Sequence, residues 1–213
     1  MSELRYTLLS DGSSDRVLMP LLSWALRQQG VNLALVAEWA DLRSLRYPPA
    51  TLDGRIEAAL DLYPCDLLFV HRDAENATID ERKEEIRTAR NSLATVTIPV
   101  VCVIPRRMVE AWLLIDEETI RSASGNPRGV VPITLPRISR LEEVADPKQV
   151  LYDLLRTASE HRGRRLRLLP VRRLVHRISE LLEGFSRLRV LPAFASFEQD
   201  LREVVAQAGW REA

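Results

Sequence analysis

Short apolar runs alternate with helix-like stretches through the first half of the chain, and this alternation constrains the fold more than any other feature. Leu4 to Ser10 reads as a first strand and Asn32 to Glu38 as a second. Asp66-Leu67-Leu68-Phe69-Val70 is the clearest buried strand, and Ala94 to Ile104 is the next, interrupted by Pro99. Between the first two, Ser13 or Ser14 can cap a helix that runs to Gln29 and closes at Gly30, with Pro20 near its first turn. Tyr47-Pro48-Pro49 breaks the chain before a short amphipathic helix over Leu52 to Tyr63. From Thr78 to Ser92, Glu81, Glu84 and Glu85 are interleaved with Arg82, Lys83 and Arg87, the pattern of an exposed helix with i,i+4 pairs. Strands separated by helices in this way predict an α/β fold, a mainly parallel sheet flanked by helices on both faces.

The second half reads differently. From Arg106 the pattern becomes helical, with Met108, Ala111, Trp112 and Ile115 on one apolar face. Residues 122–147 contain Gly125, Pro127, Gly129, Pro132, Pro136 and Pro147 with no strong period, as a loop or lid does. Helical stretches follow near 148–160, 169–183 and 196–208. The expected organisation is an α/β domain over 1–120, a loop or lid over 121–147, and a helical, Arg-rich extension over 148–213 packed on the first domain. With 213 residues, one sizeable core is expected rather than two large domains. No apolar run approaches the roughly 20 residues of a membrane-spanning helix, so no membrane partner is expected. The start of the chain lacks the features of a signal peptide, which predicts a cytoplasmic protein. Cys65 and Cys102 form no Cys-x-x-Cys pair and lie in or beside apolar strands, which argues against zinc and against a disulfide framework.

Acids stand just beyond two of the strands: Asp11 in Ser10-Asp11-Gly12-Ser13-Ser14-Asp15, and Asp73 and Glu75 in His71-Arg72-Asp73-Ala74-Glu75. In an open α/β sheet, ligands gather outside the carboxyl ends of the strands, so these acids can converge although about sixty residues separate them. Asp73 and Glu75 are two apart, and in an extended conformation both carboxylates point to the same side, where one metal could bridge them. Hard cations such as Mg²⁺ are held by one or two carboxylates with substrate phosphate and water, a pattern suited to phosphodiester cleavage. Solvated loop acids are the plainer reading of the same pair. Asp15 falls in the first turn of a helix, where it can also serve as a cap. Glu110 lies beside the Trp112 face and can either turn inward or pair with Arg106 or Arg107. Asp116 is most simply the cap of the next helix. His71 stands close enough to approach the acids or to be structural.

Net charge is zero, but residues 1–120 carry 13 basic and 19 acidic side chains while 121–189 carry 15 basic and 7 acidic. Arg162, Arg164, Arg165, Arg167, Arg172, Arg173 and Arg177 fall within 17 residues that contain no acid. Such a patch can neutralise phosphates, and its alternative is a solvated helix face partly paired with the acidic lobe. No aromatic residue lies in this stretch, so base stacking is not expected there.

The acid motifs together resemble the Toprim fold, a metal-binding α/β domain of topoisomerases, primases and the overcoming-lysogenization-defect nucleases. Closer still, Asp11-Gly12-Ser13-Ser14-Asp15, Arg72-Asp73-Ala74-Glu75 and Pro105-Arg106-Arg107-Met108-Val109-Glu110-Ala111-Trp112-Leu113-Leu114-Ile115-Asp116 resemble a family of small Toprim-like bacterial proteins often associated with phage-defence loci. The resemblance covers roughly residues 4–120, and Glu110 to Asp116 is its most specific part. It implies that Asp11, Asp73 and Glu75 are metal-site acids for Mg²⁺ or Mn²⁺, that Glu110 joins them in catalysis, and that Asp15, His71 and Asp116 stand nearby. Asp11 replaces the family's usual Glu, and Glu75 stands where a second Asp is usual. The expectation is a metal-dependent nuclease acting on DNA or RNA. Its alternatives are a degenerate module that binds a phosphate-bearing ligand, and a subunit that pairs with an ATPase or another defence protein; a homodimer stays open. The sequence has no Gly-x-x-x-x-Gly-Lys-Ser/Thr loop, which argues against a phosphoryl-transfer kinase.

Overall fold

The computed structural model describes residues 2–94 and 96–211. Strands β1 (Glu3–Leu9), β2 (Ala34–Trp39), β3 (Leu67–His71) and β4 (Val100–Val103) form one parallel sheet in the order β2-β1-β3-β4. The α/β expectation holds. Helix α1 (Leu18–Gln28) connects β1 to β2, α2 (Leu52–Leu62) connects β2 to β3, and α3 (Ile79–Asn91) connects β3 to β4. The chain therefore steps from β1 out to β2 and then back across β1 to β3. That reversal opens a crevice at the carboxyl ends of β1 and β3, where ligands of open parallel sheets bind.

The sequence accounts for the element ends. Gly30, at φ 84°, closes α1 in a left-handed turn in which the Val31 amide donates to the Leu26 carbonyl at 3.2 Å. Thr78 and Glu81 cap α3 reciprocally: the Glu81 amide donates to Thr78 Oγ1 at 3.1 Å and the Thr78 amide to Glu81 Oε2 at 2.7 Å. Three expected elements changed. The expected helix from residue 13 begins as a separate 3-10 turn, Ser13–Val17, before α1. The fourth strand contracts to Val100–Val103, because Pro99 has no amide for the ladder; residue 95 lies outside the described residues. The helix expected from Arg106 is a 3-10 turn, Val109–Leu113, in which every residue is buried, so no solvated face remains for an amphipathic helix. Its Trp112 packs edge-on against Phe194 at 5.2 Å.

The remaining helices are α4 (Glu117–Ala123), α5 (Pro147–Ala158), α6 (Gly163–Arg167), α7 (Val171–Leu181) and α8 (Pro192–Gln207). One face of the sheet, through Tyr6, Leu8, Leu67 and Phe69, shares a core with α1, α5, α7 and α8, while Leu9, Leu68 and Val70 pack with Ile56 of α2 and Ile86 of α3. The C-terminal helices are thus part of the sheet's own core. The segment 121–147 joins it too: it begins inside α4, and Ile133 and Leu141 are buried in the core. Both cysteines are free, and burial pushes the Cys102 thiol up to about 12, which leaves it inert as a nucleophile. Among the described residues no helix is long and apolar enough to cross a membrane.

Candidate functional site

His71 ends β3 and is 2% exposed. Its Nδ1 lies 2.9 Å from the Val103 carbonyl oxygen, which can only accept, so Nδ1 carries a hydrogen and Nε2 is the ring's other polar atom. That nitrogen faces two carboxylates, Asp73 Oδ1 at 3.6 Å and Asp15 Oδ2 at 3.9 Å. Both distances exceed a hydrogen bond. Asp73 Oδ1 is itself buried with no hydrogen-bond partner. Burial pushes the Asp73 carboxyl up to about 6; His71 opposes the rise, and the carboxylates of Asp15, Glu110 and Glu75 add to it.

Asp15 is the cap that the sequence suggested, and its carboxylate also approaches His71. Its Oδ2 accepts from the Gly12 amide at 2.9 Å and its Oδ1 from the Ser14 hydroxyl at 3.1 Å, which closes the 3-10 turn and holds the carboxylate toward His71. Glu110 turns inward and is 3% exposed. Its ion pair is with neither Arg106 nor Arg107 but with Lys148 of α5, at 3.1 Å, because the 3-10 turn aims it across the core edge. Burial works against the Lys148 charge, but Glu110, Tyr152 and Asp15 outweigh it and raise the amine above its ordinary value.

Asp11 and Glu75 are placed otherwise than expected. Asp11 pairs with Arg55 of α2 and, at 3.4 Å, with Arg72, so both of its oxygens face guanidinium groups. Arg55 also donates to the Ser10 carbonyl at 2.7 Å, which fixes this arrangement to the end of β1. The extended pairing of Asp73 with Glu75 is not formed: the strand stops at His71, and Glu75 turns into the left-handed region at φ 51° with its side chain exposed. Asp11, Asp15, Asp73 and Glu75 nevertheless line one cleft of about 330 Å³ with Arg72 and Arg82. Arg82 Nε is buried there without a partner. Asp116 does not reach this cleft. It caps α4 through the Thr119 amide at 2.7 Å and lines a separate cavity with Arg187.

A second cleft, of about 470 Å³, opens on the other side of the Ser13–Val17 turn. Trp39, the last residue of β2, stands in it; its indole donates to Ser10 Oγ at 3.0 Å, and the guanidinium carbons of Arg43 and Arg16 lie 5.0 and 5.5 Å from its ring centre. His176, Ser179 and Glu180 of α7 complete its wall. Helix α7 thus packs beside the Ser13–Val17 turn, and it carries Arg172, Arg173 and Arg177 of the arginine-rich stretch. All seven of those arginines are exposed, and none forms an ion pair or a side-chain hydrogen bond with another described residue. The stretch is thus solvated, without the partial pairing to the acidic lobe that the alternative reading included.

Lys148, Arg55, Arg82 and Trp39 carried no local signal, since each meets the site only through the fold. Among the described residues, no group of three or more His, Cys, Asp or Glu side chains is drawn together closely enough to hold a metal ion. The nearest approach to one is at the end of β3, where Asp73 Oδ1, buried without a hydrogen-bond partner, and Asp15 Oδ2 lie 3.6 and 3.9 Å from His71 Nε2, and a cation beside Asp73 would answer that unpaired oxygen. No protein family, curated protein or solved structure matches the chain.

Proposed function

We propose that the protein is a metal-dependent nuclease whose centre lies between the carboxyl ends of β1 and β3. The observation that carries this reading is the buried Asp73 oxygen without a partner, close to His71 and Asp15 at the crevice, in a chain that also presents a surface of unpaired arginines. The resemblance to Toprim-like proteins supports it from the motifs alone.

Asp73 and Asp15 would hold the cation, with Glu110 and Lys148 forming the charged wall behind them. When bound, a divalent cation polarises a phosphoryl oxygen and generates hydroxide from water. The rest falls to this chain's own groups. Arg82, whose Nε lacks a partner, and Arg72 present guanidinium groups to a phosphate in the cleft. The exposed arginines of α6 and α7 hold the flanking backbone, and Trp39 offers an aromatic face to an unpaired base. Asp11 serves here as the partner of Arg55 and Arg72, rather than as a free base.

The test is incubation of plasmid DNA, single-stranded DNA and tRNA with the purified protein in Mg²⁺, Mn²⁺ or EDTA, alongside Asp73→Ala. Metal-dependent cutting that Asp73→Ala abolishes while binding persists is the expected result. Cutting by Asp73→Ala at the original rate refutes this centre.

One observation favours a second reading. With Asp11 neutralised by two guanidiniums, the domain can act as a non-catalytic module that binds a phosphate-bearing ligand or a partner such as an ATPase. Salt-sensitive binding with no turnover under any metal is its signature.

A further inference from the structure

On the far side of the Ser13–Val17 turn, one hollow holds an aromatic ring, a guanidinium and a carboxylate, and the two charges have no partner among the described residues. We infer that this cleft binds a single nucleotide whose base carries an exocyclic amino group, with the base on Trp39, the phosphate on Arg16 and the amino group on Glu180. The inference rests on the part of the reading above that gives Trp39 to a base, and deepens it; it requires neither a metal nor cleavage.

The ring comes first. Trp39 ends β2 half-buried, and its indole N–H donates to Ser10 Oγ at 3.0 Å, while that hydroxyl donates to the Gly12 carbonyl at 3.2 Å. The ring is therefore already oriented, and little freedom is lost when a base stacks on it. Its two guanidinium neighbours are held differently. Asp41 grips Arg43 through two bonds of 2.8 Å, so Arg43 stays by the ring as a fixed wall. Arg16 is exposed, and no hydrogen bond or ion pair with a described residue holds it; its guanidinium carbon lies 5.5 Å from the ring centre. Such a contact is weak at an exposed site, so a base can take the ring while the guanidinium turns to its phosphate.

Glu180 of α7 lines the same cleft, exposed and likewise without a hydrogen bond or ion pair among the described residues. The two charges are opposite, yet they do not pair with each other. A ligand that answers both is flat, anionic at one place and a hydrogen-bond donor at another. An inorganic anion answers Arg16 alone, and an aliphatic amine answers Glu180 alone. A nucleotide with an amino-bearing base answers both and stacks on the ring, and the cleft's volume of about 470 Å³ lies within the range of small-molecule sites. Hypoxanthine turns a carbonyl oxygen to the carboxylate where adenine turns an amine, which leaves two acceptors facing each other. The same chemistry reaches the cleft as a free nucleotide or as an unpaired residue of a strand.

The experiment is a titration of the ¹⁵N-labelled full chain in EDTA, read on the indole N–H signals of its four tryptophans, with Trp39→Phe identifying the signal of Trp39. Adenosine monophosphate is expected to shift that signal with a Kd below about 1 mM, and adenosine and inosine monophosphate to bind about tenfold more weakly. Arg16→Ser should bring adenosine monophosphate down to the affinity of adenosine, and Glu180→Ala should bring it down to that of inosine monophosphate. Both side chains are exposed, so neither substitution disturbs the fold. Oligodeoxyadenylate against deoxyadenosine monophosphate separates the two sources: affinity about tenfold or more higher for the strand assigns the cleft to a strand, and equal affinity assigns it to the free nucleotide. An unmoved Trp39 signal at about 5 mM adenosine monophosphate overturns the inference. A shift that inorganic phosphate reproduces overturns it too, as does equal binding of adenosine and inosine monophosphates by wild type. Cutting in Mg²⁺ is a separate measurement, so the cleft can fail while the nuclease stands, and the nuclease can fail while the cleft stands.

Discussion

Asp73→Asn is expected to make the metal-free protein more stable while it removes the metal site. The carboxyl is pushed from an ordinary 3.8 up to about 6, first by burial and then by the carboxylates around it, against the pull of His71. A rise of about two units is worth about 3 kcal/mol between protonation states. The sign follows from which state holds the proton more tightly, here the folded one. Below pH 3.8 the group is protonated in both states and its favourable contribution is fully present; as pH rises through about 6 the folded protein must ionise a confined carboxyl, and that contribution is lost. Asparagine imitates the protonated form at every pH. In EDTA at pH 7.5 the variant should therefore exceed wild type by about 1–3 kcal/mol, or about 3–10 °C in Tm for a chain of this size. At pH 4 the difference should vanish. Urea unfolding of both proteins from pH 4 to 8 measures this directly, and a variant no more stable at pH 7.5, or one whose gain persists at pH 4, refutes the account of the site. Saturating Mn²⁺ should reverse the order, since binding at a hundred times Kd adds about 2.7 kcal/mol to wild type alone.

Other outcomes follow from the same geometry. Replacing Arg172, Arg173 and Arg177 of α7 with Ser should weaken single-stranded nucleic-acid binding and reduce the salt slope by about 2, measured by anisotropy across a salt series. A slope that does not move places the nucleic acid elsewhere. Trp39→Leu should cost about 1–3 kcal/mol in affinity for a single-stranded oligonucleotide and nothing for one abasic at the contacted position; an equal loss on both would mean that the substitution acts through the fold. Lys148→Met strands the Glu110 carboxylate, so urea melts should show a loss of about 1–2 kcal/mol, largely recovered by adding Glu110→Gln.

The alternation of strands and helices was legible because periodicity reports which faces a segment buries. Leu67 to Val70, apolar throughout, had to lie in the sheet interior, and it pairs with β1 on one side and β4 on the other. Strand order was not legible, since no local pattern says that β3 crosses β1 to reach its far side. The 3-10 turn at Val109–Leu113 escaped for a related reason. Its apolar residues suggested one helical face, but Trp112 is enclosed by Phe194 and Phe197 from a helix some eighty residues later, and a segment buried all round has no face to display.

The acids divide along the same line between local and distant causes. Asp73 follows a buried strand, where a solvated loop acid was the plainer reading, and only its position in the sheet deprives one oxygen of any partner. Asp11 offered the same local signal, yet Arg55, forty-four residues away, closes on it from α2. The two strand ends therefore differ in charge although they look alike in sequence. At β1 the carboxylate is matched by two guanidiniums, and at β3 the carboxylates outnumber the cations near them. Under the proposed function, a cation would sit at the β3 end and a phosphate on the side of Arg72 and Arg82. If that division is right, Arg55→Ala should leave Asp11 to Arg72 alone and so weaken phosphate binding without displacing the metal, whereas Asp73→Asn should displace the metal and leave phosphate binding in place. Isothermal titrations of each variant with Mn²⁺ and with inorganic phosphate separate the two, and a single variant that loses both ligands would show that the crevice is one site instead of two halves.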